Sequence, residues 1–529
     1  MANGRAAFER GNGILYPNPY DPDPAAPSIY AHWLLWALGA ITLVSGADPG
    51  NVLLAVTFIS TLAFGATTWK LVKACLPAGG SIRLTFMLAM WGGGLLVPGG
   101  CIAALLGVQA RLPWTLQFDP FDGMYFLNWG RNAIFATEAV YHCLAAACWI
   151  SEIRGRRFSG TLWCAALATT HPWSGLQLLL ILNLWRLIQL IQQRDRKSAT
   201  YLLVSASMLM LFLGYYKVWL PSFEHHRRLE QVWMLDWSLS TRSAILAYFP
   251  VGLLVWLRYR KNPAHTRDQT EASRLPADVT NHQKSALEVP DEFSEADTPA
   301  PGATRFSQCE QFLFCALLVS LGLVFHDRFV RPVQPLHFTR GYIWMPLFLL
   351  GLPVLQSALR RLNEEKRLRI KAAGIAVLLM MIVDNVTFCL IYAQKMSRQD
   401  EGFHITANDR AVFQEVHRHF AGSVVLAESS VLNYLLPTYA DARPWIGHLY
   451  NTPHQPERER QMEEIFADGD IAGDRIPAEI DLLLIRKTRD DSSLKQSPDW
   501  VQQDSTNSDW TFWTRKHVQR RGSSAVILQ

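Results

Sequence analysis

Apolar residues along the chain gather into long stretches nearly free of charge, separated by short loops rich in Arg. A bilayer core about 30 Å thick needs about 20 such residues per helix. The pattern predicts about ten membrane spans, over residues 50–68, 83–109, 131–151, 159–174, 175–193, 200–219, 243–258, 308–325, 342–357 and 372–393. The stretch from Tyr30 to Ser45 is short for a span but apolar on all sides, and is expected to lie along the membrane surface. After Lys395 the pattern becomes that of a small α/β unit: a helix over Asp409–Phe420, a strand over 424–427, a helix over Ser430–Tyr439, a strand over Asp481–Ile485 and an edge strand over Trp510–Trp513. A parallel sheet covered by helices is the most economical arrangement of these pieces.

The predicted fold class is therefore an all-α polytopic membrane protein with a C-terminal α/β soluble domain. Residues 1–49 form an external loop with its interfacial helix, 50–393 the transmembrane domain and 394–529 the external domain. Within the transmembrane part, 262–304 is polar and rich in Pro, Ala, Ser, Asp and Glu, which predicts a disordered cytoplasmic loop. Placing Arg154, Arg156 and Arg157 in the cytoplasm brings Lys70/Lys73, Arg194/Arg196/Lys197, Arg258/Arg260/Lys261 and the cluster from Arg360 to Arg369 to the same side. The expected location is the plasma (cell inner) membrane, multi-pass, with the C-terminus external. The N-terminal 30 residues are polar and show no signal peptide, so the first membrane helix is expected to act as its own insertion signal.

Composition agrees: 50% of residues are hydrophobic and 18% charged, against about 25% charged in soluble proteins. The net charge of +5 sits at the ends of apolar segments and argues for topological anchoring, not nucleic-acid binding. The eight cysteines form no CxxC or Cys/His cluster, so neither a metal site nor a disulfide framework is inferred.

Chemistry-bearing residues concentrate in the loops read as external. Asp119 and Asp122 in Asp119-Pro120-Phe121-Asp122-Gly123 are suited to a general base or to a divalent cation, or mark turns at a helix boundary. Downstream come Arg131 and then Glu138 and His142, which share one helical face; they face a cavity or bond each other. His171-Pro172 breaks helix between two apolar segments and can meet a polar substrate group or cap the turn. Arg328, Arg331, His337 and Arg340 crowd one loop against the charge bias, as a rim for an anionic headgroup or as lipid contacts, with His225-His226-Arg227-Arg228 as a second contributor. Gly92-Gly93-Gly94 inside an apolar segment reads as close packing or a kink. Asp384-Asn385 lies mid-helix, with no role assigned.

Two phrases carry a family resemblance. The first runs Gly13-Ile14-Leu15-Tyr16-Pro17-Asn18-Pro19-Tyr20, then Ala26-Pro27-Ser28-Ile29-Tyr30 into the apolar stretch ending Ser45-Gly46-Ala47-Asp48-Pro49. The second is Leu436-Pro437-Thr438-Tyr439, Arg443-Pro444-Trp445-Ile446-Gly447-His448 and Asn451-Thr452-Pro453, followed by Arg458 and Arg460. Together they cover about a tenth of the chain and resemble the polytopic C-type glycosyltransferases, which take sugars from polyprenyl-phosphate donors. The resemblance implies transfer at the external face to a glycan, lipid or protein acceptor, with arginines on the leaving phosphate and a divalent cation optional. It also implies a catalytic carboxylate after a first span that precedes Met1 in the family pattern. Asp21 and Asp23 are the nearest carboxylates, with Asp21 the third catalytic candidate beside Asp119 and Asp122. A transporter, or a non-catalytic membrane or envelope assembly protein, is the alternative expectation.

Overall fold

The computed structural model describes residues 1–77, 79–107, 127–260, 307–397, 405–467, 471–505 and 507–516. The predicted polar loop 262–304 lies outside them. The N-terminal segment contributes α1 (Ala2–Glu9) and the surface helix α2 (Trp33–Ser45). The helical body follows: α3 (Pro49–Cys75), α4 (Ile82–Trp91), α5 (Leu96–Leu105), α6 (Ala136–Ile153), α7 (Arg157–Ala168), α8 (Pro172–Gln193), α9 (Arg196–Leu213), α10 (Glu224–Trp233), α11 (Thr241–Arg260), α12 (Gln308–Val324), α13 (Trp344–Glu364) and α14 (Leu368–Ser397).

All ten predicted segments contain helix, but ten spanning rods are not what forms. Among the described residues four helices are long and apolar enough to cross a membrane, and a fifth is reached if the bent pair α4–α5 counts as one span. The shortfall is physical. At 1.5 Å per residue, the 12-residue α7 reaches only about 18 Å. α6 carries Glu138 and Glu152, and α11 ends in Arg258 and Arg260. Between α4 and α5 the chain turns by 60° at Gly92–Leu95. Gly94 is forced there, since a Cβ would lie 2.4 Å from the Leu246 carbonyl oxygen of α11.

The break frees backbone groups that lipid cannot satisfy, and the two polar residues of α14 meet them. The Asp384 carboxylate accepts from the Leu96 and Val97 amides at 3.1 and 2.8 Å, capping α5. Asn385 donates to the Gly92 carbonyl at 2.9 Å and accepts from Asn128 at 3.0 Å and from Arg131 Nε at 2.6 Å. The Arg131 guanidinium also lies 4.9 Å over the Phe388 ring. All four polar residues are fully buried.

Contacts sort the helix ends into two sets. At one end Arg157 bonds Ser198 and Gln193, Cys75 meets Cys309, and Arg258 pairs with Glu310, so the basic clusters of α3, α7, α9 and α11 gather together. At the opposite end sits the C-terminal domain, where Arg410 pairs with Asp48, the N-cap of α3, and Trp233 donates to the Tyr450 carbonyl at 2.6 Å.

The C-terminal domain runs α15 (Ala407–His419), β1 (Val424–Ala427), α16 (Ser430–Tyr439), β2 (Arg443–Pro444), α17 (Gln455–Ala467), β3 (Leu482–Arg486), α18 (Ser492–Gln496), β4 (Trp500–Gln503) and β5 (Trp510–Arg515). Strand order is β2-β1-β3-β5-β4. The first three strands pair in parallel, but β5 pairs antiparallel with both β3 and β4. The sheet is therefore mixed, and Trp510–Trp513 lies inside it instead of at its edge. The period of two along the strands splits the core: Val425, Ala427, Leu482, Leu484 and Phe512 meet α15 and α16, while Val424, Leu426, Leu483, Ile485 and Trp513 face Ile465 and Leu494.

The N-terminal segment ties the two parts together. α1 crosses α2 at Gly4 and Gly39, where a Cβ on Gly39 would sit 2.3 Å from the Gly4 carbonyl oxygen. Asn18 donates to the Asn451 carbonyl at 2.6 Å, Tyr20 to the Tyr434 carbonyl at 3.2 Å, and Arg10 pairs with Asp441 at 2.6 Å. The two phrases that carry the family resemblance are thus in direct contact.

Candidate functional site

Two polar clusters flank the contact between the helical body and the C-terminal domain. The lower one is built on α6 and the loop before α13. Arg340 adopts φ +27° and Gly341 φ +74°, the left-handed region. Only glycine fits at 341, because a Cβ would lie 2.6 Å from the Trp129 Cα. His142 holds this turn through its Nε2 contact with the Arg340 carbonyl at 2.7 Å, while its Nδ1 faces the Glu138 backbone carbonyl at 2.7 Å. The Glu138 carboxylate pairs instead with the Arg340 guanidinium, both groups being buried. Glu138 and His142 do share a face, but their carboxylate and imidazole do not bond each other as the spacing suggested.

Arg340 then donates to His337 Nδ1 at 2.6 Å. Arginine has no lone pair to offer, so the His337 proton sits on Nε2. The ring is held between two indoles, Trp173 at 5.7 Å and Trp237 at 5.4 Å, both stacked. Burial and the Arg340 charge together hold its pKa well below the usual histidine range. His171 is the N-cap of α8, its Nδ1 accepting from the Ser174 amide at 3.1 Å, and it stacks on Tyr141 at 4.5 Å. His32 caps α2 in the same way and reaches the Tyr141 hydroxyl at 3.2 Å. Burial lowers the His32 pKa to about 4. Three neutral imidazoles are thereby fixed with Nε2 as the protonated nitrogen, beside one guanidinium.

The upper cluster centres on Asp21, which is 5% exposed. Its carboxylate accepts from the Asp23 amide at 3.1 Å. Burial pushes its pKa up, while that same bond, His225 and Arg458 pull the other way. Asp23 is paired with His225 of α10 at 3.0 Å. Arg458 is oriented by the Trp445 carbonyl at 2.7 Å and lies over the Trp445 ring. Tyr30 meets His226 Nδ1 at 3.2 Å, and burial lowers the His226 pKa to about 4.

Aromatic contacts join the clusters: His226 meets Trp233, Trp233 donates to the Tyr450 carbonyl, and Tyr450 packs edge-on to Trp237. A cavity of about 420 Å³ is lined by Tyr20, Thr137, Tyr434, His448 and Asn451 over Leu35 and Leu53. Tyr20 precedes Asp21 and Thr137 precedes Glu138. A second cavity of about 600 Å³ lies around Arg5, Glu9 and His417, and no residue of the two clusters lines either cavity.

Of the predicted site residues, His171, His337 and Arg340 come together, with Asp21 across the junction. Arg131 does not join them, being committed to Asn385 beneath the helix break. Arg328 and Arg331 are exposed, Arg328 bonding Thr241 and covering the Phe325 ring. Asp119 and Asp122 lie outside the described residues. Sequence reasoning missed His32, Trp173, Trp237 and the approach of Arg458 to Asp21. Only the His32–Trp33 start of the apolar stretch was a visible cue, as a helix cap. Among the described residues no three His, Cys, Asp or Glu side chains converge to hold a metal ion. No protein-family model matches the chain, and no curated protein matches it.

Proposed function

We propose that this protein is a membrane-embedded glycosyltransferase that moves a sugar from a polyprenyl-phosphate donor to an acceptor, with the C-terminal domain and its junction on the external face. The observation that supports the reading is a buried carboxylate, Asp21, and an imidazole and guanidinium cluster, His171, His337 and Arg340, at one junction whose two sides are joined through Trp233, Tyr450 and Trp237. Asp21 accepts the proton of the acceptor hydroxyl. The hydroxyl oxygen bonds to the anomeric carbon as the bond from that carbon to the phosphate oxygen breaks, and the polyprenyl phosphate leaves with the electron pair. Imidazole N–H groups and arginines stabilise that phosphate. In this reading the acceptor enters by the cavity lined by Tyr20 and Thr137, the sequence neighbours of Asp21 and Glu138. The transporter alternative loses its motive, because Asp384 caps α5 and Glu138 is paired with Arg340.

The test is transfer of label from a panel of radiolabelled polyprenyl-phosphate sugars in membranes containing the protein. Transfer lost in Asp21→Asn and His337→Ala supports the reading. Absence of turnover with every donor, from protein that is folded and inserted, rejects it.

A further inference from the structure

Two cysteines far apart in sequence meet at the end of the body away from the C-terminal domain. Cys75 is the last residue of α3, Cys309 is the second residue of α12, and their Sγ atoms are 3.7 Å apart. Both side chains are partly exposed, unlike Cys148, Cys164 and Cys315. We propose that Cys75 and Cys309 form an oxidation site, converted by peroxides to a disulfide and returned by thiols. Sulfurs in a disulfide stand about 2.05 Å apart, so closure needs a movement of less than about 2 Å.

The chemistry balances without further reagents. One thiolate attacks a peroxide oxygen, forming an S–O bond as the O–O bond breaks and hydroxide leaves. The second thiolate attacks the resulting sulfenic sulfur, forming the S–S bond, and the departing hydroxide takes a proton to become water. Two electrons pass from sulfur to peroxide, giving one disulfide and two waters from two thiols and hydrogen peroxide. The pair lies among the basic clusters near Lys73 and Arg258, the end read as cytoplasmic. In such a compartment disulfides are transient and redox-sensing.

The bond would fix two helices whose other parts hold the junction. On α3, Thr68 accepts from Trp129, which lies edge-on to His142. On α12, Ser320 accepts from Gln177, which also donates to the Phe338 carbonyl beside His337. The test treats the purified full chain with hydrogen peroxide, then applies differential alkylation and peptide mass spectrometry. The expected product is a peptide joining Cys75 to Cys309, lost on dithiothreitol treatment and absent from both Cys75→Ser and Cys309→Ser. Separate alkylation of both thiols after peroxide, sulfinic acid without a link, or a link only between two molecules would overturn the proposal.

Discussion

Beneath the helix break, the polar groups of Asp384 and Asn385 are spent on the protein's own backbone, on Asn128 and on Arg131, all of them buried. At the junction, Glu138 and Arg340 pair in a similar way, yet around them stand imidazoles held by aromatic faces and a carboxylate, Asp21, whose one described hydrogen bond is to a neighbouring amide. Both regions hold polar groups where water is scarce. In the first, the groups repair a defect in the helical body. In the second, they exceed what the fold needs, which is how a site differs from a repair.

That contrast yields tests in descending size. Asp21→Asn is expected to lower transfer by about 10²-fold or more, the scale of a lost general base. The same variant should melt higher at neutral pH. A carboxyl whose folded pKa is raised costs stability once pH climbs through that pKa, and the amide removes the cost. A variant that loses activity and stability together would place Asp21 with the repairs. Asp384→Ala should show the reverse pattern: about 3 kcal/mol or more of stability lost, read by thermal melting in detergent, since it strands two amides and leaves Arg131 beside an uncompensated gap. The protein that still folds should keep its turnover per molecule. Gly341→Ala should cost about 1–3 kcal/mol through its φ of +74° and the Trp129 backbone, and should move Arg340 and His337 out of register, visible as a raised KM.

The pH dependence separates the two regions further. His32, His226 and His448 all have pKa values lowered to about 4 by burial at the junction. The unfolded state binds more protons between about 6.5 and that value, so stability rises with pH across this window and is lost as pH falls through it. Limited proteolysis should therefore release the C-terminal domain as pH drops from about 6.5 toward 4, with the helical body intact. Resistance unchanged across that range would show that the histidines do not govern the junction. The smallest effect expected is Trp237→Leu, about 1 kcal/mol from one lost stacking partner of His337.

Hydrophobic period made the helices and most strands legible. Ser430–Tyr439 and 424–427 form where the pattern placed them, because local propensity and burial agree there. The pattern could not show that Trp510–Trp513 is internal, since the covering strand β4 (Trp500–Gln503) alternates too weakly to be seen. The Gly92–Gly94 kink was legible; the α5 cap, Asp384, was not, as nothing local links it to Leu96, 288 positions away. The site divides in the same way. His171, His337 and Arg340 stood out as polar residues at helix breaks, whereas Trp237 and His32 become partners only through packing across the junction.

One consequence concerns α3. Its 27 residues span about 40 Å, more than a hydrocarbon layer of about 30 Å, so in the membrane placement proposed above the helix either leans or carries its Lys70–Cys75 end outside that layer. The C-terminal domain is pinned to its tip through Asp48 and Arg410. Where the helix leans, a thinner bilayer is expected to increase the lean and to pitch the domain with it, like a deck on a tilting mast. Fluorescence distances from the domain to labelled lipids of increasing chain length would record that pitch, and a constant distance would mean the deck is moored elsewhere.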